Sequence, residues 1–260
     1  MSGWGELALR VPLLKQWLES RQREFTIGDI VLEAPRPAIS RSVRKSLRRN
    51  DYEPVEAYLV RQLVRPGDTV LDLGSGLGLT CIAAAKSSRG GRIVGYEANP
   101  AIAPLAERNA ERNGVRVEIR NRGVAREKGR IEFHVRRSFT ASSALPVKRA
   151  RKISIEADAF RDAVAEIQPK FISCDVEGIE KDVFASANLA SVDRLIVEVH
   201  PEAIGEVGVL KCVRDLENAG LRAVRRLCFG QVMVFDRDGS SSTIEPFQPN
   251  CHDGGNPSAR

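Results

Sequence analysis

The stretch Val70-Leu71-Asp72-Leu73-Gly74-Ser75-Gly76-Leu77-Gly78 limits this chain more than any other. A short apolar run ends in an acid, followed by three glycines two positions apart. That pattern suits a buried parallel strand turning sharply into a helix, with bare backbone left open to a ligand. A second apolar run, Arg92 to Tyr96, closes on Glu97, 21 positions beyond Gly76. An acid at that distance is placed to accept both hydroxyls of a ribose in a nucleotide-binding βαβ unit. An adenosine-containing ligand is therefore expected.

The dinucleotide fingerprint requires a third small residue at position 79, where this chain has Leu79. Its extra glycine comes one residue early, at Gly78. This G-x-G-x-G loop, with Asp72 two residues ahead, resembles motif I of S-adenosylmethionine-dependent methyltransferases. A zwitterionic methionine tail, unlike a pyrophosphate, makes no demand on a helix N-terminus.

Strands are expected at 68–73, 92–97, 115–120, 170–175, 194–199, 221–228 and 231–236, with helices at 77–88, 100–113, 157–167, 179–187 and 208–219. This alternation implies a mostly parallel sheet covered on both faces. Only Phe229-Gly230 separates the last two strands, which predicts a hairpin and an antiparallel final strand at the sheet edge. Before the sheet, residues 5–21 carry Leu7, Val11, Leu14, Trp17 and Leu18 at helical spacing. This amphipathic helix is expected to cover the core or to form a homodimer contact. Asn50-Asp51 reads as the cap of a helix starting near Pro54. The expected organisation is an extension or lid over 1–50, a catalytic domain over 51–236 and a polar, unordered tail over 237–260. Between the third and fourth parallel strands, Glu127-Lys128-Gly129-Arg130 reads as a hairpin turn within an insertion.

A second informative segment is Ser173-Cys174-Asp175-Val176-Glu177-Gly178-Ile179-Glu180, and a third is Glu198-Val199-His200-Pro201. Both follow expected parallel strands, whose carboxyl ends line the crevice of an open α/β sheet. Asp175, Glu177, Glu198 and His200 should therefore meet beside the glycine loop as the catalytic set. Taken singly, Asp175 also reads as a helix cap, Glu180 as an exposed helix residue and His200 as a polar group before Pro201.

With Pro66-Gly67-Asp68, Glu97-Ala98-Asn99-Pro100, Asp158 and these two segments, residues 52–236 resemble the FkbM-type methyltransferases. The resemblance implies a seven-stranded class I methyltransferase fold and O-methylation of a hydroxyl on a sugar, polyketide or other natural product. The expected acceptor is thus a small molecule or glycan. The resemblance makes Gly74, Ser75, Gly76 and Gly78 the cradle for S-adenosylmethionine, Glu97 the ribose ligand, and Asp175 with Glu177 the acidic pair of the active site. Asp72 and Ala98 complete this set, and Gly123 and Val124 mark the adenine edge. Two departures from the family pattern, Ser173 in place of a lysine and Glu156-Ala157 in place of Thr-Leu, bear on the substrate.

An alcohol acceptor must lose its proton as it attacks, which His200 or Asp175 could accept while Glu177 and Glu198 orient the substrate. No metal is predicted. Were Mg²⁺ present, Asp175 and Glu198 would be its ligands. Tyr52, Glu53 and Glu56 either reach the methionine amino group or form a solvated helix start.

The formal charge of +6 is concentrated at Arg41–Arg49 and Lys148–Lys152. These runs raise an RNA methyltransferase as an alternative, but aromatic residues make up only 5% and four acids crowd the expected crevice, so nucleic acid is not the expected partner. A nicotinamide-dependent oxidoreductase is disfavoured by Leu79, and a non-catalytic cofactor-binding scaffold is a third alternative. Five cysteines without C-x-x-C spacing, no membrane-length apolar run and no signal-peptide pattern lead to a cytoplasmic expectation.

Overall fold

The computed structural model describes residues 21–135, 151–176 and 178–249. The first described elements are β1 (Glu24–Ile27), β2 (Ile30–Glu33), α1 (Arg41–Arg48) and α2 (Pro54–Leu63). Then follow β3 (Val70–Leu73), α3 (Leu79–Ser88), β4 (Ile93–Tyr96), α4 (Ala103–Arg112) and β5 (Glu118–Arg120). Next come β6 (Gly123–Ala125), β7 (Gly129–Val135), β8 (Arg151–Ala159) and α5 (Phe160–Ile167). The last are β9 (Phe171–Cys174), α6 (Glu180–Val183), β10 (Arg194–Glu198), α7 (Pro201–Asn218), β11 (Arg222–Ala223) and β12 (Val232–Asp236).

Every residue of β3, β4 and β9 is buried, as expected of strands with helices on both faces. The main sheet has seven strands in the order β11-β12-β10-β9-β3-β4-β5. From β10 to β5 the pairings are parallel. The chain passes from β3 to β4 on one side and returns to β9 on the other, so the sheet reverses direction at β3. Leu73 is level with Cys174 on one flank and Tyr96 on the other. The glycine loop, Glu97 and Asp175 therefore leave the sheet together at its carboxyl end, where ligands of such sheets bind. This is the class I methyltransferase fold.

The final strand is not at the edge. β12 is antiparallel to β10 on one side and to β11 on the other. It is five residues long and almost wholly buried, whereas β11 has two residues and one is exposed. The short strand is the better edge because it offers few unpaired backbone groups. A 3₁₀ turn at Arg225–Leu227 lies between the two strands, and the two-residue turn falls at Gly230-Gln231, one residue later than expected, with Phe229 and Val232 exchanging backbone hydrogen bonds at 2.9 and 3.0 Å. Glu127-Lys128-Gly129-Arg130 is not a hairpin, because β6 and β7 both pair with β8, on opposite sides. β8 continues to Ala159, delaying the helix expected from 157 until Phe160.

The amphipathic segment 5–21, with its homodimer contact, lies outside the described residues except for Arg21. The described part of the extension packs on the core domain through Ile30, Leu32, Val43 and Leu47. Asn109 of α4 clamps it, accepting the Glu33 N–H at 2.6 Å and donating to the Leu77 carbonyl at 2.9 Å. Arg44, part of the basic run, is fully buried and donates to the carbonyls of Ala34 and Gln22. Glu53, not Asn50 or Asp51, is the N-cap of α2, with a left-handed backbone of φ 46°. Residues 237–249, expected as an unordered tail, pack back onto the domain. There Phe247 meets Tyr58 and Phe229 edge-on at 5.6 and 5.3 Å. Apolar side chains at Ile244 and Phe247 supply the contact that the polar average of this segment concealed.

Candidate active site

The three glycines of the loop have positive φ values of +87°, +50° and +85° at Gly74, Gly76 and Gly78. At Gly74 the need is also steric, since a Cβ there would lie 1.8 Å from the Asp175 carbonyl oxygen. Asp72 lies beneath the loop, accepting hydrogen bonds from Thr80 Oγ1 at 2.7 Å and Cys81 Sγ at 3.0 Å. Ser75 is buried beside it, 3.3 Å from the Asp72 carbonyl. Asp72, Ser75 and Gly78 thus form the framework of the loop, while Gly74 and Gly76 face the cavity.

Glu97 sits across from Gly76. Its two carboxylate oxygens accept the N–H groups of Gly76 at 2.9 Å and Asn99 at 2.6 Å. Burial pushes its carboxyl up to about 7, with those hydrogen bonds and the nearby Asp72 as smaller influences in opposite directions. Next to Glu97 the cavity wall continues through Ala98, Gly123, Val124, Ile131 and Phe133. A Cβ at Gly123 would meet the Ile131 side chain at 2.7 Å, so the absence of one lets β6 and β7 close into an apolar slot. The residues fit an adenosyl group: a carboxylate for the ribose, bare glycine backbone beside it, and an apolar slot for the base.

At the other end of the same cavity of about 440 Å³ stand Asp175, Glu198 and His200. This volume lies within the range that accommodates a cofactor. One ligand atom from each of the three residues falls within 4.8 Å of the others. His200 Nε2 is 3.7 Å from Asp175 Oδ1, and Asp175 and Glu198 share a side-chain hydrogen bond. Burial raises the Glu198 carboxyl above its ordinary value, opposed by His200 and Asp175. Glu177, also expected here, lies outside the described residues.

Glu180 was missed as a site residue because its helical position suggested exposure. It is fully buried, 2.6 Å from His200 Nδ1, and both its oxygens accept the Gly178 N–H at 3.0 Å. The Asp-x-Glu-Gly-x-Glu spacing was the available signal: Gly178, at φ +106°, turns the chain back so that Glu180 points inward. The extension contributes Ser42 and Ser46 to the cavity, which sequence spacing does not reveal, and Tyr52, a candidate from the sequence, lines it as well. Glu53 lines the cavity too, and Glu56 lines a small adjoining cleft with Glu53, Asp72 and Glu198. Burial raises the Glu53 carboxyl well above its ordinary value and Glu56 to about 7, which argues against a solvated helix start, one of the two alternatives for these acids.

Residues 51–135 match the family model of the methyltransferase small domain. A ribosomal protein L11 methyltransferase from Thermus thermophilus is 55% identical over 58 residues, covering 22% of this chain and 22% of that protein. A release factor glutamine methyltransferase from Geobacter sulfurreducens is 38% identical over 71 residues, covering 27% of this chain and 25% of that protein. The chain thus spans about a quarter or less of the length of these relatives. A crystal structure of a ribosomal protein L11 methylase from Lactobacillus delbrueckii subsp. bulgaricus overlaps 69% of this chain and 74% of that chain, at 16% identity and a TM-score of 0.42.

These findings overturn the FkbM-type resemblance. The Asp-Leu-Gly loop and the strand-end acid that suggested it are requirements of the cofactor half of the fold, so they recur across methyltransferase families. The small-molecule or glycan acceptor falls with it, since the relatives are named for proteins that they methylate. No helix among the described residues is long and apolar enough to cross a membrane. The first half of the domain is similar to the methyltransferase small domain, on a class I methyltransferase fold.

Proposed function

We propose that this chain is an S-adenosylmethionine-dependent methyltransferase whose acceptor is a group on a protein. The observation that carries this reading is one continuous cavity, running from the glycine loop and Glu97 to Asp175, Glu198 and His200. The relatives named for ribosomal protein L11 and for release factor support a protein acceptor.

When bound, the cofactor supplies a methyl group on a positively charged sulfur. In this reading Glu97 accepts the ribose hydroxyls, and Gly74 and Gly76 allow the ligand against the backbone. Ala98, Val124 and Phe133 enclose the base, and Glu53 and Glu56 attract the amino group of the methionine moiety. The transfer is an in-line displacement, so the remaining work is alignment, exclusion of water and removal of one acceptor proton. Asp175, Glu198 and His200 orient the acceptor and take that proton, with Glu180 holding the imidazole.

The test is incubation of the chain with methyl-labelled cofactor and, separately, purified ribosomal protein L11 and a peptide-chain release factor. Mass spectrometry should detect added methyl groups on one of the two, and Asp175→Asn should abolish them. Binding of S-adenosylhomocysteine with neither protein labelled contradicts the protein acceptor. Absence of that binding contradicts the methyl-donor reading itself.

A further inference from the structure

We propose that α1 and the β7–β8 ribbon give the cavity a basic rim, which docks an acidic segment of the acceptor protein. The inference deepens the proposed function and rests on it for the nature of the acceptor. The rim itself rests on the placement of Arg41, Lys45, Arg49 and Arg151.

On α1, Ser42 and Ser46 line the cavity, while Val43, Arg44 and Leu47 are buried. Arg41, Lys45 and the C-cap Arg49 recur every fourth residue, so they form a stripe beside the two serines and away from the buried face. All three are exposed, and none has an ion pair or side-chain hydrogen bond among the described residues. The helix contains no acid to offset them.

The ribbon supplies a second wall through Ile131 and Phe133 of β7. Ile153 of β8 is level with Phe133, and Arg151, two residues away, shares its face of the ribbon. Arg151 is also exposed and without an ion pair among the described residues. Neighbouring cations differ in this respect. Arg122 on the cavity wall is paired with Glu156 at 2.6 Å and Asp158 at 3.0 Å, and Lys152, on the other face of β8, is paired with Glu132.

Within this rim the cavity is bordered by Asp51, Glu53, Glu97, Asp175 and Glu198. A complementary partner therefore carries carboxylates where it meets the rim and a neutral or cationic side chain where it enters. A polypeptide satisfies both with an amide or amino side chain between acidic neighbours. A nucleic-acid strand is charged at every nucleotide, so its phosphates would accompany the entering base toward the acids. The four rim residues also offer no aromatic surface for stacking. The acidic polypeptide is the better match.

The probe is a fluorescein-labelled peptide with one lysine between two runs of glutamate, titrated with the full chain and followed by anisotropy. Binding should saturate and weaken as salt rises from about 50 to about 300 mM. A peptide of inverted charge, glutamate between runs of lysine, should not bind. The triple variant Arg41→Gln, Lys45→Gln, Arg49→Gln should weaken binding about tenfold, and Arg151→Gln should weaken it about threefold, both with wild-type melting behaviour. The control variant Arg65→Gln, Arg89→Gln, Arg116→Gln removes equal charge from exposed turns before β3, β4 and β5, at the end of the sheet away from the cavity. It should bind as the wild type does. No saturable binding overturns the proposal, as does equal weakening by the rim and control variants. Tighter binding of an oligouridylate of matching charge, lost in the rim variant, also overturns it, because the rim then serves phosphate. S-adenosylhomocysteine, titrated in parallel, separates the two readings. A chain that binds it but not the peptide contradicts the rim alone, whereas one that binds only the peptide supports the rim and contradicts the methyl-donor reading.

Discussion

At Gly74 a single hydrogen atom in place of a side chain holds the site together. Its φ of +87° is a region that side-chain-bearing residues rarely enter, and a Cβ would collide with the Asp175 carbonyl. Gly74→Ala is therefore expected to lose S-adenosylhomocysteine binding and to lower the melting temperature, read by calorimetry and thermal unfolding. Wild-type binding by this variant would contradict the close approach. Glu97 yields a pH prediction. Its ordinary value is 4.5 and burial raises it to about 7, so between these values the folded chain keeps a proton that the unfolded chain releases. The contribution of this group to stability is full below pH 4.5 and is lost as pH rises through 7, by about 3 kcal/mol. Urea unfolding of the wild type and Glu97→Gln from pH 4.5 to 8 should show the difference between them falling by that order, and a level difference would contradict it. Placements that depend on spacing from one loop, such as Gly76 and Glu97 meeting on the cavity wall, were legible in the sequence. Glu180 was not, because its inward direction depends on the turn at Gly178 and the distant partner His200.

At the scale of elements, the parallel core announced itself through short, wholly apolar runs, whereas the order of its last two strands did not. Which of β11 and β12 takes the edge depends on relative length and burial after folding, and neither is a local property. The extension has the same character. Its sequence showed a basic run and two prolines, but its attachment depends on Asn109, 76 positions away from Glu33. Asn109→Leu removes the hydrogen bonds to Glu33 and Leu77 and is expected to cost about 2–4 kcal/mol. Hydrogen exchange should then quicken in β1 and β2 while β3 and β4 stay protected. Uniform quickening across the sheet would show that the extension is not a separable unit.

At the scale of the whole molecule, the chain carries a net charge of +6 yet encloses a cavity bordered by Asp51, Glu53, Glu97, Asp175 and Glu198. An acidic interior suits the cationic sulfur of a methyl donor and disfavours a pyrophosphate, in agreement with Leu79 at the place where a dinucleotide loop needs a small residue. The matched family model covers the glycine loop and Glu97 and ends at residue 135, short of the acids and histidine at the ends of β9 and β10, so sequence similarity bears on the first end of the cavity and geometry alone on the second. The most direct measurement is calorimetric titration of the full chain with S-adenosylhomocysteine and, separately, NAD. At pH 8, above the raised value of Glu97, S-adenosylhomocysteine should bind with one-to-one stoichiometry, NAD should not bind, and Glu97→Gln should weaken the first about ten- to a hundredfold through loss of a charged hydrogen-bond acceptor. Binding of NAD, or full-strength binding of S-adenosylhomocysteine by Glu97→Gln, would contradict the assignment of this cavity to a methyl donor.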